Sequence, residues 1–239
     1  MESRVFTYQA RIKDEGVFDF LNDSAYLFSR LERKLFAAYQ AEEDKNYLKR
    51  NFLKKYGISS RMYNAIRISL DGKIKSYLDR LKAHVLTVET RLAKKKRLLK
   101  NLEKPKKTKT NLSKKKPTKN KYTSIPHRIW QTRRSIDNLT AKLVALKEQK
   151  KQGIAKLCFG TKKLFHAQYN LEANGYNNHK EWKEAWDKAR NNQFTLMGSK
   201  DESSGNQSCI ATINEDETIT LRIRVANCLE DKYKEHPIP

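Results

Sequence analysis

The chain has 239 residues, enough for one large domain or two small ones, and carries 51 Lys+Arg against 27 Asp+Glu, a net charge of +24. A surplus of that size repels itself in a compact body, so it points to a polyanionic partner: RNA, DNA or an anionic membrane surface. No run approaches 18 apolar residues, which excludes a transmembrane helix, and the start at Glu2 and Arg4 lacks the apolar stretch of a signal peptide.

Residues 4–12 alternate Val5, Thr7 and Gln9 with Phe6, Tyr8 and Ala10, predicting a strand with its aromatic face buried. From Val17 the period becomes helical. Phe20, Leu21, Ser24, Leu27, Phe28, Leu31, Leu35, Phe36 and Tyr39 predict an amphipathic helix to about Glu43. A short helix follows over 46–56, stopped by Gly57. Ser59 or Ser60 caps the next one, which is long. In it Tyr63, Ile66, Leu70, Ile74, Tyr77, Leu81, His84 or Val85, Val88, Leu92 and Leu99 keep a spacing near 3.5, with Gly72 as a weak point. A second arm repeats the pattern at Ile129, Thr132, Ile136, Leu139, Leu143 and Leu146 and stops at Gly153. Two heptad helices joined by one linker predict an antiparallel coiled-coil hairpin.

Between the arms, residues 91–121 hold fifteen Lys+Arg and a single acid, Glu103, with Pro105 and Pro117 as helix breakers. A stretch so charged cannot collapse on itself, and beside a protruding stem it is placed to meet a phosphate backbone. The plainer reading is a solvated loop or a localisation-like basic tract.

Beyond Gly160, Thr161 caps a helix predicted over 162–173, with Leu164, Phe165, Gln168, Tyr169 and Leu171 as its packing side. Asn177 or Asn178 caps another, on which Trp182, Trp186 and Ala189 share one face; the two indoles are read chiefly as core. Strands are then expected at 193–198, 208–213 and 218–225. The last sets Ile219, Leu221, Ile223 and Val225 against Thr220, Arg222 and Arg224, one face apolar and one cationic. Cys158, Cys209 and Cys228 lie far apart with no CxxC pair, which argues against a disulfide framework and a zinc knuckle and suits a reducing cytoplasm. Eleven tyrosines add faces on which unpaired bases can stack.

One stretch carries more. It runs Gly160-Thr-Lys-Lys-Leu-Phe-His-Ala-Gln-Tyr-Asn-Leu-Glu-Ala-Asn-Gly-Tyr176. It continues through His179, Trp182, Trp186, Ala189-Arg190-Asn191, Gln193-Phe194, Gly198-Ser-Lys-Asp-Glu202 and Gly205-Asn-Gln207. This run resembles the TnpB-related proteins of insertion sequences and their relatives, the small type V CRISPR effectors. The strand near the start and Asn51-Phe-Leu-Lys-Lys-Tyr-Gly-Ile58 fit the same pattern, so the similarity spans most of the chain, with 160–207 its specific part. The resemblance implies an RNA-guided DNA endonuclease. Its N-terminal half is an oligonucleotide-binding-type β-barrel (the wedge) with a helical recognition lobe inserted. Its C-terminal half is a ribonuclease-H-like nuclease with an acidic metal site and often a zinc ribbon.

The expected fold class is therefore α+β, mostly α. A helical recognition lobe with a long antiparallel coiled-coil hairpin is inserted into a partial antiparallel β-barrel. The wedge takes 1–13 plus 193–239, the lobe 14–192, and the basic linker at the hairpin tip 104–127. The chain stops at Pro239, about where the resemblance expects more barrel strands and the nuclease. Asp201-Glu202 and Glu215-Asp-Glu217 fall in expected turns, and His166 and His179 stand singly. No catalytic residue, metal ligand or cofactor is assigned to this chain; a divalent metal is expected only in the missing nuclease half.

Three functions compete. The first is the guide-RNA and target-DNA binding portion of a TnpB-like nuclease, cytoplasmic and nucleoid-associated when on DNA, with a separately encoded nuclease half as a further partner. The second is a nuclease-free, RNA-guided DNA-binding regulator. The third is a basic coiled-coil structural protein on RNA or membranes. Phosphate contacts are expected from Lys94, Lys95, Lys96, Arg97, Lys106, Lys107, Arg133 and Arg134, and around the β-domain from Lys162, Lys163, Lys200, Arg222 and Arg224. Stacking candidates are Tyr63, Tyr122 and Trp130. An incomplete barrel would leave the strand over 218–225 with an open edge.

Overall fold

The computed structural model describes residues 9, 12, 15–41, 44–104, 124–198, 206, 208–216 and 218–233. The fold is mostly helical, with one small antiparallel sheet. The chain forms two compact units, Met1–Gly72 with Cys158–Pro239, and Lys73–Leu157.

In the first unit, α1 (Phe18–Gln40) buries Phe20, Ser24, Ala25, Phe28, Ser29, Leu31, Glu32, Leu35 and Ala38. The adjacent pairs Ser24–Ala25, Phe28–Ser29 and Leu31–Glu32 are buried together, so the stripe is wide enough to face more than one neighbour. Leu48 and Phe52 of α2 (Lys45–Tyr56) and Tyr63, Ala65, Ile66 and Leu70 of α3 (Ser60–Glu103) are buried with them. Leu31, Leu35, Leu48, Ile66 and Leu70 are all under 2% exposed. Burying each such side chain contributes roughly 1.5–3 kcal/mol. The Phe52 ring meets Tyr56 at 5.1 Å and Tyr63 at 5.8 Å, both edge-on. Glu32, 3% exposed, is a carboxyl taken out of water, and the Ser69 hydroxyl donates to it at 3.0 Å.

Polar contacts tie distant segments onto α1. The Arg33 guanidinium donates to the Arg190 carbonyl at 3.2 Å and to Asn191 Oδ1 at 2.8 Å. Burial is the first cause that lowers the Arg33 pKa, with the charge of Arg190 next. Lys34 Nζ donates to the Tyr56 hydroxyl at 3.1 Å and sits 4.8 Å from that ring's centre. Phe36 meets Phe159 edge-on at 5.6 Å.

The sheet is a hairpin of β1 (Cys209–Ile213) and β2 (Ile219–Ile223), in the register Cys209↔Ile223, Ala211↔Leu221 and Ile213↔Ile219. Those six residues share one face, and Ile210↔Arg222 and Thr212↔Thr220 share the other. The expected pairing of an apolar and a polar face is present, yet Ile213 and Ile219 remain exposed. Among the described residues the sheet has these two strands. The strand expected at 4–12 lies almost wholly outside them.

The second unit holds the part of α3 beyond Gly72 and α4 (Ile125–Gln152). On α3 the buried residues are Leu81, Val85, Val88 and Leu92, in steps of four, three and four. On α4, Thr132 is buried, and Ile129, Ile136, Leu139, Leu143 and Leu146 are half-buried. Arg133 pairs with Glu103 and Lys147 with Glu89, both at 2.8 Å, and Gln149 donates to the Tyr77 hydroxyl. As numbers fall along α3 they rise along α4, so the two arms run antiparallel.

Several expectations need correction. Residues 193–198 are not a strand. The Gln193 carbonyl accepts from the Ser29 hydroxyl at 3.1 Å, so this backbone is held by α1 rather than by a ladder. The helix expected over 162–173 is only α5 (Lys162–Ala167), followed by turns. The linker expected to reach 127 ends earlier, because α4 starts at Ile125 with Pro126 in its first turn. A terminal helix, α7 (Asn227–Tyr233), was not expected. It is held by Cys228 N–H donating to the Gly57 carbonyl at 3.3 Å and by a Lys232–Asp23 ion pair.

Candidate nucleic-acid interface

The hairpin presents cations because its seam is narrow. Residues 91–104 and 124–151 together carry fourteen Lys+Arg against three acids. Lys94, Lys96, Arg97, Arg133 and Arg134 are exposed; Lys95 is half-buried. Lys95 lies three residues after Leu92 and four before Leu99, on the seam itself, where a lysine lays its stem on apolar neighbours and keeps its ammonium in water. Among the described residues Lys94, Lys96 and Arg97 have no acidic partner within ion-pair distance, whereas Glu103 partly neutralises Arg133.

Trp130 is 56% exposed on α4. His127 stacks on it at 6.0 Å and 28°, and the Arg134 guanidinium lies 5.7 Å from its ring centre. Helical spacing produces this group, since 127, 130 and 134 stand three and four apart. Gln131, Ser135 and Asn138 line an open groove with Trp130 and Arg134. The sequence reading singled out Trp130 and Arg134 but missed His127 and Gln131, although the same spacing could have found them.

In the first unit, Lys162, Lys163, Arg222 and Arg224 are all exposed. Thr161 caps α5, its hydroxyl accepting from Leu164 N–H at 3.2 Å, and Asn178 caps α6 (His179–Arg190), accepting from Glu181 N–H at 2.9 Å. Trp182 and Trp186 of α6 stack at 6.2 Å and 10°, and the Trp182 indole N–H donates to the Leu164 carbonyl at 2.8 Å. Both indoles are half-buried, with the packing role expected of them. Gly160 makes this fit possible. Its φ is +103°, and a Cβ there would stand 2.9 Å from the Trp186 ring.

Phe165 and Tyr169 depart from expectation. Assigned to the packing side, they are 38% and 74% exposed. For Tyr169 the cause is local: after Ala167 the chain tightens into turns, with Tyr169 N–H donating to the His166 carbonyl and Asn170 N–H to the Ala167 carbonyl. A 3.6-residue period no longer applies there, and Ala167 takes the buried place.

Tyr63 is a correction. It is 2% exposed against Phe52, and burial pushes its phenol above the ordinary value, so it is core and offers no face for stacking. Tyr122, Lys106, Lys107 and Lys200 lie outside the described residues. Among the described residues no cluster of three His, Cys, Asp or Glu could hold a metal ion, and no helix is long and apolar enough to cross a membrane. The three cysteines are free thiols. No family model, curated protein or solved structure matches this chain.

Proposed function

We propose that this chain is the guide-RNA and target-DNA binding portion of a TnpB-like, transposon-associated RNA-guided DNA endonuclease. The observation that carries the reading is the excess of exposed cations along two antiparallel arms whose apolar seam is narrow. Such arms contact phosphates by shape and charge, while base pairing in the guide–target duplex supplies sequence. On this reading the hairpin is a left-handed coiled coil, and the two-stranded sheet is part of an oligonucleotide-binding-type barrel, the wedge. The stretch 160–207 that carries the family resemblance includes the Gly160–Trp186 and Trp182–Leu164 contacts, which gives its glycine and tryptophans a structural reason. On this reading the chain supplies the binding, in the cytoplasm and on nucleoid DNA.

The test is to co-express the chain with its own locus, purify it, and sequence the RNA that accompanies it. The expected result is a single enriched RNA from the flanking locus. A mixture of ribosomal and messenger fragments, lost by about 0.5 M salt as counterion release requires, would reduce the chain to a generic basic binder.

A further inference from the structure

We infer that Phe165, His166 and Tyr169 form a stacking site for unpaired bases of single-stranded RNA. This deepens the nucleic-acid reading above and rests on it. Tyr169 is 74% exposed, yet it is not an unsupported side chain. Phe165 meets it edge-on at 6.5 Å, and the His166 ring lies 6.3 Å away, tilted by 39°. Phe165 lies 5.7 Å from Trp186, which stacks on Trp182, itself anchored through its indole N–H to the Leu164 carbonyl. A chain of ring contacts therefore runs from a hydrogen-bonded tryptophan to a tyrosine in water. Rings held this way lose little freedom when a ligand stacks on them, so less ordering entropy opposes binding.

The charge around this surface selects the ligand. Lys162 and Lys163 are exposed at the start of the same helix, and residues 160–180 hold one acid, Glu172. Aromatic faces beside cations suit a planar base on a phosphate backbone, and stacking of that kind is tolerant of sequence. A paired duplex hides its base faces, so it can reach the lysines but not Tyr169. The site therefore separates single-stranded from double-stranded RNA, whereas the hairpin arms read phosphate in either.

The experiment uses the full chain with two probes, a short single-stranded RNA carrying one 2-aminopurine and a blunt RNA duplex. Tyr169→Ala is expected to weaken single-strand binding by about tenfold and to abolish quenching of the 2-aminopurine on binding, with duplex affinity unchanged. Tyr169→Phe is expected to keep both. Because Tyr169 lies outside the core, circular dichroism of the alanine variant should match the parent. Equal single-strand affinity and quenching in Tyr169→Ala would overturn the stacking site and leave the phosphate reading standing. Failure of the parent chain to bind either probe would overturn both.

Discussion

Helix α1 buries nine of its 23 residues, whereas the part of α3 beyond Gly72 buries only Leu81, Val85, Val88 and Leu92. Both are amphipathic, and both draw on leucine and other apolar residues. The difference is stripe width. A wide stripe must be covered from several directions, so α1 belongs to a core to which α2 and the start of α3 also contribute. A narrow stripe is satisfied by one partner helix, and the remaining circumference of each arm stays in water. In this chain that circumference is filled with lysine and arginine. Narrow burial in the hairpin is therefore the condition for a large cationic surface, and the first unit supplies its binding candidates at its edges instead.

The largest effect expected from this contrast is on stability. Leu35→Ala removes a side chain enclosed on all sides and should cost about 3–5 kcal/mol, while Leu92→Ala in the seam should cost about 2 kcal/mol, the low end for such changes. Urea unfolding of the two variants measures both costs. Equal costs would break the comparison, because the seam would then be as enclosed as the core.

Next comes the cationic surface. Replacing Lys94, Lys96, Arg97 and Arg134 together by alanine should flatten the dependence of RNA affinity on salt. The log–log slope should fall by about 0.7–0.9 for each phosphate contact removed, with the fold unchanged. Titrations at several salt concentrations read this directly. An unchanged slope would move the phosphate contacts away from the arms and onto the first unit.

The smallest expected effect concerns alkali and sharpens the contrast from the other side. Burial pushes the Tyr39 phenol up to about 12 from an ordinary value of 10.0, with Asp71 as the next cause. The folded chain then holds that proton more tightly than the unfolded chain does. The stability this contributes is complete below pH 10.0 and is lost as the pH rises to about 12. Tyr39→Phe should therefore weaken the alkaline loss of stability of the first unit across that window, as followed by circular dichroism. An identical alkaline profile in the variant would show that Tyr39 is not held as this packing requires.

Much of the helical layout was legible because its signals act over a few residues. The Ser59 hydroxyl accepts from Met62 N–H at 3.2 Å, and Thr161 and Asn178 cap as their positions suggested. Gly57 and Gly153, both with positive φ, stop α2 and α4 where expected. The heptad residues Leu81, Val85, Val88, Leu92 and Thr132 are buried, and the hairpin of β1 and β2 lies within its expected strands. Of the candidate interface, the exposed lysines, Trp130 and Arg134 could be picked from the sequence, since charge and helical spacing do not depend on distant partners.

The amino-acid sequence by itself determined the caps at Ser59, Thr161 and Asn178, the glycine stops at 57 and 153, the two arms, the alternation of the hairpin and the cationic excess, because caps, periods and charge are properties of neighbouring residues. Only the tertiary structure decided which faces are covered. Tyr63 is inside because Phe52 and its neighbours close over it; Tyr169 is outside because the chain tightens after Ala167 and turns its ring away from the core. Residues 193–198 read as a strand, yet their first carbonyl is taken by Ser29, 164 positions earlier. Helix α7 is likewise held by Gly57 and Asp23. A local pattern states what a segment can do, and a partner remote in the chain selects which of those possibilities lowers the free energy.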